Sequence, residues 1–253
     1  MVDYEQRGRV AVLTIRRPEA RNAVNGDVAR GMEEAIDRLE ADDDVWVGII
    51  TGDGPVFSAG ADLKAIASGQ AADLQTKKGG FGGIARRERT KPLIAAVNGP
   101  AYAGGCEIVL SCDLVVASTE AKFGIPEVKR SLVAAAGGLF RLPRSLPRNI
   151  AMEMALTGDP ITAERAFALG FVNELTEPGQ AVEAAIALAE RITANAPIAV
   201  RESRKVVIDG WGAADDDAWK ITGAAMGTAM STEDFQEGPR AFIEKRPPEW
   251  KGR

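Results

Sequence analysis

One acidic residue, Glu107, stands in a glycine-rich stretch whose spacing suits acid–base chemistry. The buried run Leu93–Val97 leads into Asn98-Gly-Pro-Ala-Tyr-Ala-Gly-Gly-Cys-Glu107. A helix that begins at Gly104 presents amide N–H groups without intrahelical acceptors, and its dipole favours negative charge at that end. Glu107 projects from the same side, one turn into the helix. The stretch therefore predicts an anion-stabilising amide next to a proton carrier.

A second stretch of the same type lies upstream, at Phe57-Ser-Ala-Gly-Ala-Asp-Leu-Lys64. Gly60 permits an unusual backbone conformation, and Asp62 can cap a helix that begins at Leu63. The Ala61 amide would then lie beside a helix start and form a second anion donor. Taken alone, each stretch also fits a purely structural role, as a glycine turn or a helix cap.

The complete absence of histidine narrows the chemistry further. It excludes Ser-His-Asp and Cys-His nucleophilic sites and the zinc sites that use histidine. The two cysteines, Cys106 and Cys112, have no metal-site spacing and fit small buried residues. Acid–base work therefore falls to carboxylates, lysine, tyrosine or backbone groups.

Composition is close to the average for soluble globular proteins. The 253 residues are 45% apolar and 26% charged, and the formal charge of −5 argues against a nucleic-acid partner. No apolar run reaches the ~18 residues of a membrane span. The first residues lack the apolar core of a signal peptide, so a cytoplasmic protein without membrane contact is expected.

The elements that must position these residues alternate between strands and helices, which predicts an α/β architecture. Strands are predicted at Val10–Ile15 and Val45–Ile50, and helices at Asp27–Glu40 and Asp215–Met230. The polar, glycine-rich segment 68–83 is predicted to be mobile. Six arginines are interpreted either as solvated side chains or as contacts to phosphate groups: Arg16, Arg17, Arg21, Arg86, Arg87 and Arg89. A boundary near Asn195 separates a core, 1–195, from a helical region, 196–253.

Several ordered motifs resemble the crotonase, or enoyl-CoA hydratase/isomerase, superfamily, and the likeness extends over essentially the whole chain. The strongest are the two stretches above together with Phe123-Gly-Ile-Pro-Glu127. Further matching segments are Arg17–Ala23, Ala155–Asp159, Ser231–Gly238 and Glu244–Arg246.

The resemblance implies a crotonase (ClpP-like) spiral of ββα units with a C-terminal helical trimerisation region, assembled as a homotrimer or hexamer. It implies an acyl-CoA thioester substrate whose carbonyl oxygen is held by the Ala61 and Gly104 amides. It implies no metal and no separate cofactor, because coenzyme A is part of the substrate. The implied contacts to the CoA and acyl parts are Ala20, Arg21, Ala23, Ala59, Gly60, Asp62, Leu63, Tyr102, Gly105, Pro126, Leu132 and Ala135.

Reaction type depends on the carboxylates, because the resemblance implies the same amide pair for most members. Hydratases of this kind use two glutamates, which correspond here to Glu107 and Glu127, whereas isomerases commonly keep one. Without the resemblance, Glu127 would be interpreted as an ion-pair partner of Lys129 or Arg130. Enoyl-CoA hydration, with a role in β-oxidation, is therefore the expected activity.

Two features keep alternatives open. Segment 129–136 departs from the usual glycine-rich hydratase sequence, and Gly138-Leu-Phe-Arg-Leu-Pro143 is similar to the carnitinyl-CoA dehydratase branch. A carnitinyl-CoA dehydratase, a Δ3,Δ2-enoyl-CoA isomerase and a non-catalytic CoA-binding protein are the alternatives. An RNA-binding side role conflicts with the acidic net charge.

Overall fold

The computed structural model describes all 253 residues as a mixed α/β fold. Its strands are β1 (Val2–Arg7), β2 (Val10–Ile15), β3 (Val47–Gly52), β4 (Gln75–Thr76), β5 (Gly80–Phe81), β6 (Leu93–Val97), β7 (Ala101–Tyr102), β8 (Leu114–Ser118), β9 (Lys122–Gly124), β10 (Ile161–Thr162) and β11 (Glu174–Thr176). Its helices are α1 (Gly26–Ala41), α2 (Leu63–Ala67), α3 (Gly104–Val109), α4 (Gly138–Ser145), α5 (Arg148–Thr157), α6 (Ala163–Ala168), α7 (Ala181–Thr193), α8 (Pro197–Asp209), α9 (Asp215–Met230) and α10 (Asp234–Glu244).

The main sheet has six strands in the order β1-β2-β3-β6-β8-β11. The first pair is antiparallel and every later pair is parallel, with Ile49 opposite Ile94 and Ala95 opposite Val115. Every residue of β3 and β6 is buried, as expected for parallel strands that are covered on both faces. This is why their sequences are apolar throughout rather than alternating.

A smaller sheet gives the fold its repeated ββα pattern. After β6 the chain forms β7 and α3, and after β8 it forms β9, so successive turns add one strand to each sheet. In the small sheet β7 pairs parallel with β9, and a bridge joins Ser58 to Ala101. The two glycine-rich stretches follow the adjacent parallel strands β3 and β6 and therefore lie on the same side of the core.

The core has one cluster on each face of the main sheet. The larger cluster packs α1, α3 and later helices against one face, and the smaller one packs α7 against the other. Ala181, Ala185 and Ala189 recur every fourth residue, so one stripe of α7 touches the sheet. Small alanines at these positions let the helix lie close to the strands.

Most predicted elements are confirmed within two residues at each end, and α9 has the predicted bounds. The prediction of a mobile 68–83 segment is wrong. Those residues form a 3₁₀ helix at Ala71–Leu74 and the β4–β5 hairpin, and Leu74 is buried. Polarity and glycine content do not reveal this structure, because the hairpin is held by backbone hydrogen bonds and by Glu33 of α1, which accepts from the Gly79 amide at 2.8 Å.

The helices after residue 195 contrast with this core. Among their residues only Pro197, Ala225, Asp234 and Ala241 are buried. Arg204 of α8 ties them to the sheet, since its side chain donates to Asp113 at 2.9 Å and to the Arg89 carbonyl at 2.8 Å. Large apolar side chains stay exposed on these helices and their connections: Val207, Ile208, Trp211, Trp219, Met226, Met230, Phe235, Phe242 and Ile243.

No helix is both long enough and apolar enough to cross a membrane.

Candidate active site

Helix α3 begins at Gly104 and places Glu107 in its first turn, as predicted. Glu107 is only 3% exposed, and its Oε1 accepts a hydrogen bond of 2.9 Å from the Gly138 amide. Burial raises the pKa of the Glu107 carboxyl, against the opposing effects of backbone amides at Gly138 and Ala136 and of Arg141. A buried carboxyl fixed in one orientation is suited to exchanging a proton with a bound molecule.

The loop before α2 lies directly against the start of α3. Gly60 adopts φ +87°, and a Cβ added there would lie 2.8 Å from the Gly104 nitrogen, so no residue with a side chain fits at this position. The Val24 amide donates to the Gly60 carbonyl, and the Val24 carbonyl accepts from the Asp62 amide. The Ala61 amide lies between these two bonds and donates to no protein acceptor. The Gly104 amide, as the first of its helix, has no intrahelical acceptor. The two predicted amide donors are therefore neighbours.

The backbone before α3 carries strain at the same point. Ala103 has φ 52° and ψ −128°, a conformation that residues with a side chain rarely adopt. Such strain persists only where surrounding structure imposes it, and it clusters at functional sites. The Ala103 amide donates a hydrogen bond of 2.9 Å to the Gly124 carbonyl, which holds the residue in this conformation. This bond aims the Gly104 amide and connects it to the strand that leads to Glu127.

Buried polar side chains fix the loop that carries Ala61. Asn22 is fully buried, and its side chain donates to the Asp53 and Val56 carbonyls at 2.8 and 2.7 Å. Ser58 donates to the Asn22 carbonyl at 2.9 Å. Because these bonds join residues that are more than thirty positions apart, the loop is held by the fold and not by its own sequence.

Asp62 was predicted to contact the substrate, and the structure gives its carboxylate two other tasks. It accepts from the Lys64 and Ala65 amides and so caps α2, as the sequence also predicted. Its second oxygen accepts from Arg17 at 3.0 Å, in an ion pair with little exposure. Both tasks hold the loop next to the Ala61 amide, so Asp62 positions the site through the backbone.

The remaining arginines do not form one phosphate-binding group. Arg87 pairs with Asp37, and Arg89 pairs with Asp113 at 2.6 Å. The interpretation of Arg89 as a solvated side chain is wrong, since that side chain is 4% exposed. Among the six, Arg21 and Arg86 are exposed and form no side-chain hydrogen bond or ion pair with the protein, so both stay available to a ligand.

The 3₁₀ helix Pro126–Arg130 presents Glu127 on the other side of the site. Its Oε2 is buried and has no hydrogen-bond partner. Burial raises the pKa of Glu127 to about 7, and the nearby charge of Glu107 acts in the same direction. The interpretation of Glu127 as an ion-pair partner of Lys129 is wrong, because Lys129 pairs with Asp159 at 2.5 Å.

An apolar cavity of about 390 Å³ opens beside Glu127. It lies between the 3₁₀ helix, the segment that follows it, and helices α4 and α5. Its walls include Ile125, Val133, Ala134 and Leu142. Leu132 and Ala135, predicted as acyl contacts, are exposed and do not line this cavity, and their contact with a substrate stays a prediction. Ser131 ends the 3₁₀ helix in a left-handed conformation at φ 56°.

The other predicted contacts lie around the two amides. Ala59 accompanies Gly60 in the loop, and its amide donates to the Arg21 carbonyl at 3.0 Å. Ala23 is buried beside them, while Ala20 ends a 3₁₀ helix, Pro18–Ala20, and Leu63 is exposed at the start of α2. Tyr102 ends β7 just before α3, and Gly105 lies in α3 with Glu107. Pro126 directly precedes Glu127 in the 3₁₀ helix.

Three residues that support the site were missed in the sequence. Phe81 of the β4–β5 hairpin packs where a Gly104 side chain would lie. Gly138 supplies the amide that orients Glu107. Arg141 donates to the Ala85 carbonyl at 2.7 Å and to the Ala136 carbonyl at 3.2 Å, which fixes the approach to Gly138. Only a family pattern of glycines could have pointed to Gly138, since these contacts join distant segments.

The α/β fold, the two neighbouring amides and the interacting carboxyls of Glu107 and Glu127 are those of an enzyme of the crotonase superfamily. A sequence profile of the enoyl-CoA hydratase/isomerase family matches residues 5–253, and the chain belongs to that family. The fold predicted from the sequence is thereby confirmed.

Characterised relatives and solved structures agree with this assignment. The chain is 40% identical to enoyl-CoA hydratase EchA19 of Mycobacterium tuberculosis over 98% of this chain and 96% of that one. It is 38% identical to carnitinyl-CoA dehydratase of Salmonella arizonae, over 97% and 96%. A crystal structure of an enoyl-CoA hydratase from Mycobacterium tuberculosis superposes with a TM-score of 0.96 at 49% identity, covering 100% of this chain and 99% of that one.

Proposed function

We propose that the protein is an enoyl-CoA hydratase that adds water reversibly across the C2=C3 bond of a 2-enoyl-CoA thioester. One observation carries the proposal: one carboxyl oxygen of Glu127, Oε2, is buried without a partner, and the carboxyl is close enough to Glu107 for their charges to interact. A buried carboxyl oxygen without a partner costs free energy, and a catalytic role explains why a folded protein keeps one. The hydratase relatives support the same activity.

In the proposed mechanism the thioester oxygen accepts hydrogen bonds from the Ala61 and Gly104 amides. These donors stabilise the negative charge that builds on this oxygen when C3 is attacked, an effect worth ~10²–10³ in rate for a single donor. Glu107, ionised and held by Gly138, takes a proton from water as the water oxygen bonds to C3. Glu127, whose pKa of about 7 leaves it protonated in a large fraction of molecules at neutral pH, delivers a proton to C2.

The carnitinyl-CoA dehydratase relatives favour one alternative, which uses the same two carboxyls on a different acyl group. An isomerase needs one proton carrier that moves a proton between two carbons. The burial of both carboxyls in one site supports the two-glutamate reaction over an isomerase. It also argues against a protein that binds CoA without catalysis.

The test is hydration of crotonyl-CoA, followed by the loss of the enoyl thioester absorbance. Glu107→Gln and Glu127→Gln are each expected to lower kcat by ~10²–10⁴, the usual contribution of a positioned acid or base. Glu120→Gln, which changes an exposed carboxyl, serves as the control and should keep wild-type activity. Full activity in either site variant would contradict the two-carboxyl mechanism and favour the isomerase.

The regions on either side of residue 195 are proposed to have separate roles. Residues 1–195 would carry the site, and residues 196–253 would assemble subunits into a trimer or a dimer of trimers. The exposed tryptophans Trp211 and Trp219 and the exposed Met226 and Met230 support a covered surface there. Light scattering would give the mass of the assembly. A cytoplasmic location, a role in β-oxidation and independence from metal ions stay predictions from the sequence.

A further inference from the structure

One arginine of α4, Arg141, joins three separate segments of the chain around Glu107. Its guanidinium donates to the Ala85 carbonyl at 2.7 Å, and to the Ala136 carbonyl and the Ser111 hydroxyl at 3.2 Å each. All three acceptors are uncharged, and Glu107 is the only carboxyl whose charge acts on this side chain. Arg141 therefore brings a positive charge into this region without an ion-pair partner of its own.

The same bonds hold the two backbone segments that fix Glu107. Gly137 adopts φ +104°, and a Cβ added there would overlap the Arg141 guanidinium, which packs against the chain just before Gly138. The Gly138 amide is the donor that orients the Glu107 carboxyl. On the other side, the Ser111 hydroxyl donates to the Glu107 carbonyl at 2.7 Å and accepts from Arg141. Arg141 thus links the helix that carries the carboxyl to the amide that holds it.

The charge of Arg141 also distinguishes the two glutamates of the site. Burial raises the pKa of Glu107, and the charge of the half-buried Arg141 lowers it. Glu127 has the exposed Arg130 instead, whose charge is screened by water and salt, and burial raises the pKa of Glu127 to about 7. The better-screened cation therefore belongs to the carboxyl that keeps its proton.

The other titratable groups around Glu107 supply no second positive charge. Glu127 faces it from the 3₁₀ helix with a charge of the same sign. Cys106 precedes it in α3 and stays neutral, because burial raises the pKa of its thiol. Burial likewise raises the pKa of Cys112, near Arg141, to about 12. Arg141 is thus the one cation that acts on Glu107.

We propose that Arg141 is a positioning residue that makes Glu107 the base of the pair, because it holds the backbone on both sides of that carboxyl and places a positive charge near it. The proposal rests on the proposed hydratase function and adds the residue that divides the work between the two glutamates. Hydration needs Glu107 ionised and Glu127 protonated at the same moment. Without the charge of Arg141, the two carboxyls would share their protons more evenly, and this form would be less populated.

The experiment measures kcat/KM for crotonyl-CoA hydration against pH in wild type and in Arg141→Gln. Activity falls on the acidic side as Glu107 takes up a proton, and loss of the nearby cation should move this limb to higher pH by about one unit. The loss relative to wild type should then be up to about tenfold larger on the acidic side than on the alkaline side. An equal loss at every pH would mean a merely structural role and would overturn the proposal.

Three further variants separate charge from packing. Arg141→Lys keeps the charge without the planar fork of donors, so kcat should fall while the acidic limb stays in place. Arg144→Gln removes an exposed cation one turn along α4 that also lies over the Phe140 ring, and it should change neither quantity. Arg141→Met repeats the neutral substitution with no polar group to bury, should Arg141→Gln fail to fold. Equal shifts of the limb in Arg144→Gln and in the neutral Arg141 variants would overturn the proposal.

Carbon-13 NMR of the glutamate carboxyls, with the Glu107 signal assigned through Glu107→Gln, follows the ionisation without any turnover. Glu107 should titrate at higher pH in Arg141→Gln than in wild type. If this shift appears and no thioester is hydrated, the role of Arg141 in charging Glu107 stands and the hydratase function fails. Active hydration with an unchanged Glu107 titration would overturn the role of Arg141 and leave the hydratase function intact.

Discussion

The two sides of the site are built in opposite ways. On one side, α3 is buried, and the buried side chains of Asn22 and Ser58 bond the Ala61 loop to distant backbone. On the other side, residues 126–137 form a short 3₁₀ helix and a partly exposed segment, and Glu127 has no partner for one oxygen. The first side holds amides at fixed positions, which oxyanion stabilisation requires. The second side forms part of the wall of the apolar cavity and carries a carboxyl that can change its charge.

The comparison separates the residues that hold the amides and Glu107 from those that line the apolar cavity. Changes on the rigid side are expected to disturb the chemistry, because Gly104 and Glu107 lie in one short helix and the Ala61 loop packs against its start. Changes in the second side alter the wall of a cavity and leave the amides in place. Segment 129–136, which departs from the usual hydratase sequence, lies wholly in the second side.

The largest expected effect comes from Gly105→Ala on the rigid side. A Cβ there would overlap the Ser58 carbonyl, whose neighbouring backbone carries the Ala61 loop. We expect hydration to fall by ~10²–10³, as for loss of an oxyanion donor, and the melting temperature to drop. The contrasting variant is Leu132→Ala, an exposed position of the second side that should keep crotonyl-CoA hydration within twofold. Similar losses of activity in the two variants would show that the two sides of the site do not differ in their effect on the chemistry.

An intermediate effect is expected from pH, and it belongs to the second side. Because Glu127 must carry a proton to deliver it to C2, kcat/KM for hydration should fall as pH rises through about 7. The Glu127→Gln variant should lose this limb of the profile. A wild-type profile that stays flat between pH 6 and pH 8.5, on the order of the titration range of such a group, would show that Glu127 is not the proton donor.

The same raised pKa has a consequence for stability. The folded protein binds the Glu127 proton more tightly than the unfolded chain, whose carboxyl has an ordinary pKa. This contribution to the free energy of unfolding is complete below the unfolded pKa and is lost as pH rises through about 7. Urea titrations should therefore show wild type losing stability relative to Glu127→Gln over that range.

The smallest effect is expected from Lys129→Ala, also on the second side. The Lys129–Asp159 pair is exposed to solvent, and such pairs contribute about 0–1 kcal/mol. Unfolding in urea should show a change within that range, and crotonyl-CoA hydration should not change. A large loss of activity would mean that this ion pair sets the position of Glu127, and the second side would then be as rigid as the first.

Local features of the site were accessible from the sequence. The start of α3 at Gly104, the Asp62 cap of α2 and the bounds of α9 follow from glycine, capping and periodicity, which act over a few residues. The absence of histidine and the two glycine-rich stretches restricted the chemistry to carboxyls and backbone amides. The family motifs supplied Glu127, which local reasoning assigned to an ion pair.

Only the tertiary structure decided how these groups are surrounded. Lys129 pairs with Asp159, one oxygen of Glu127 has no partner, and the Gly138 amide donates to Glu107. The tertiary structure also placed Val133 and Ala134, and not Leu132 and Ala135, in the cavity wall. The physical reason is distance along the chain: burial and hydrogen bonding at one atom depend on segments about thirty or more residues away, which no local pattern records.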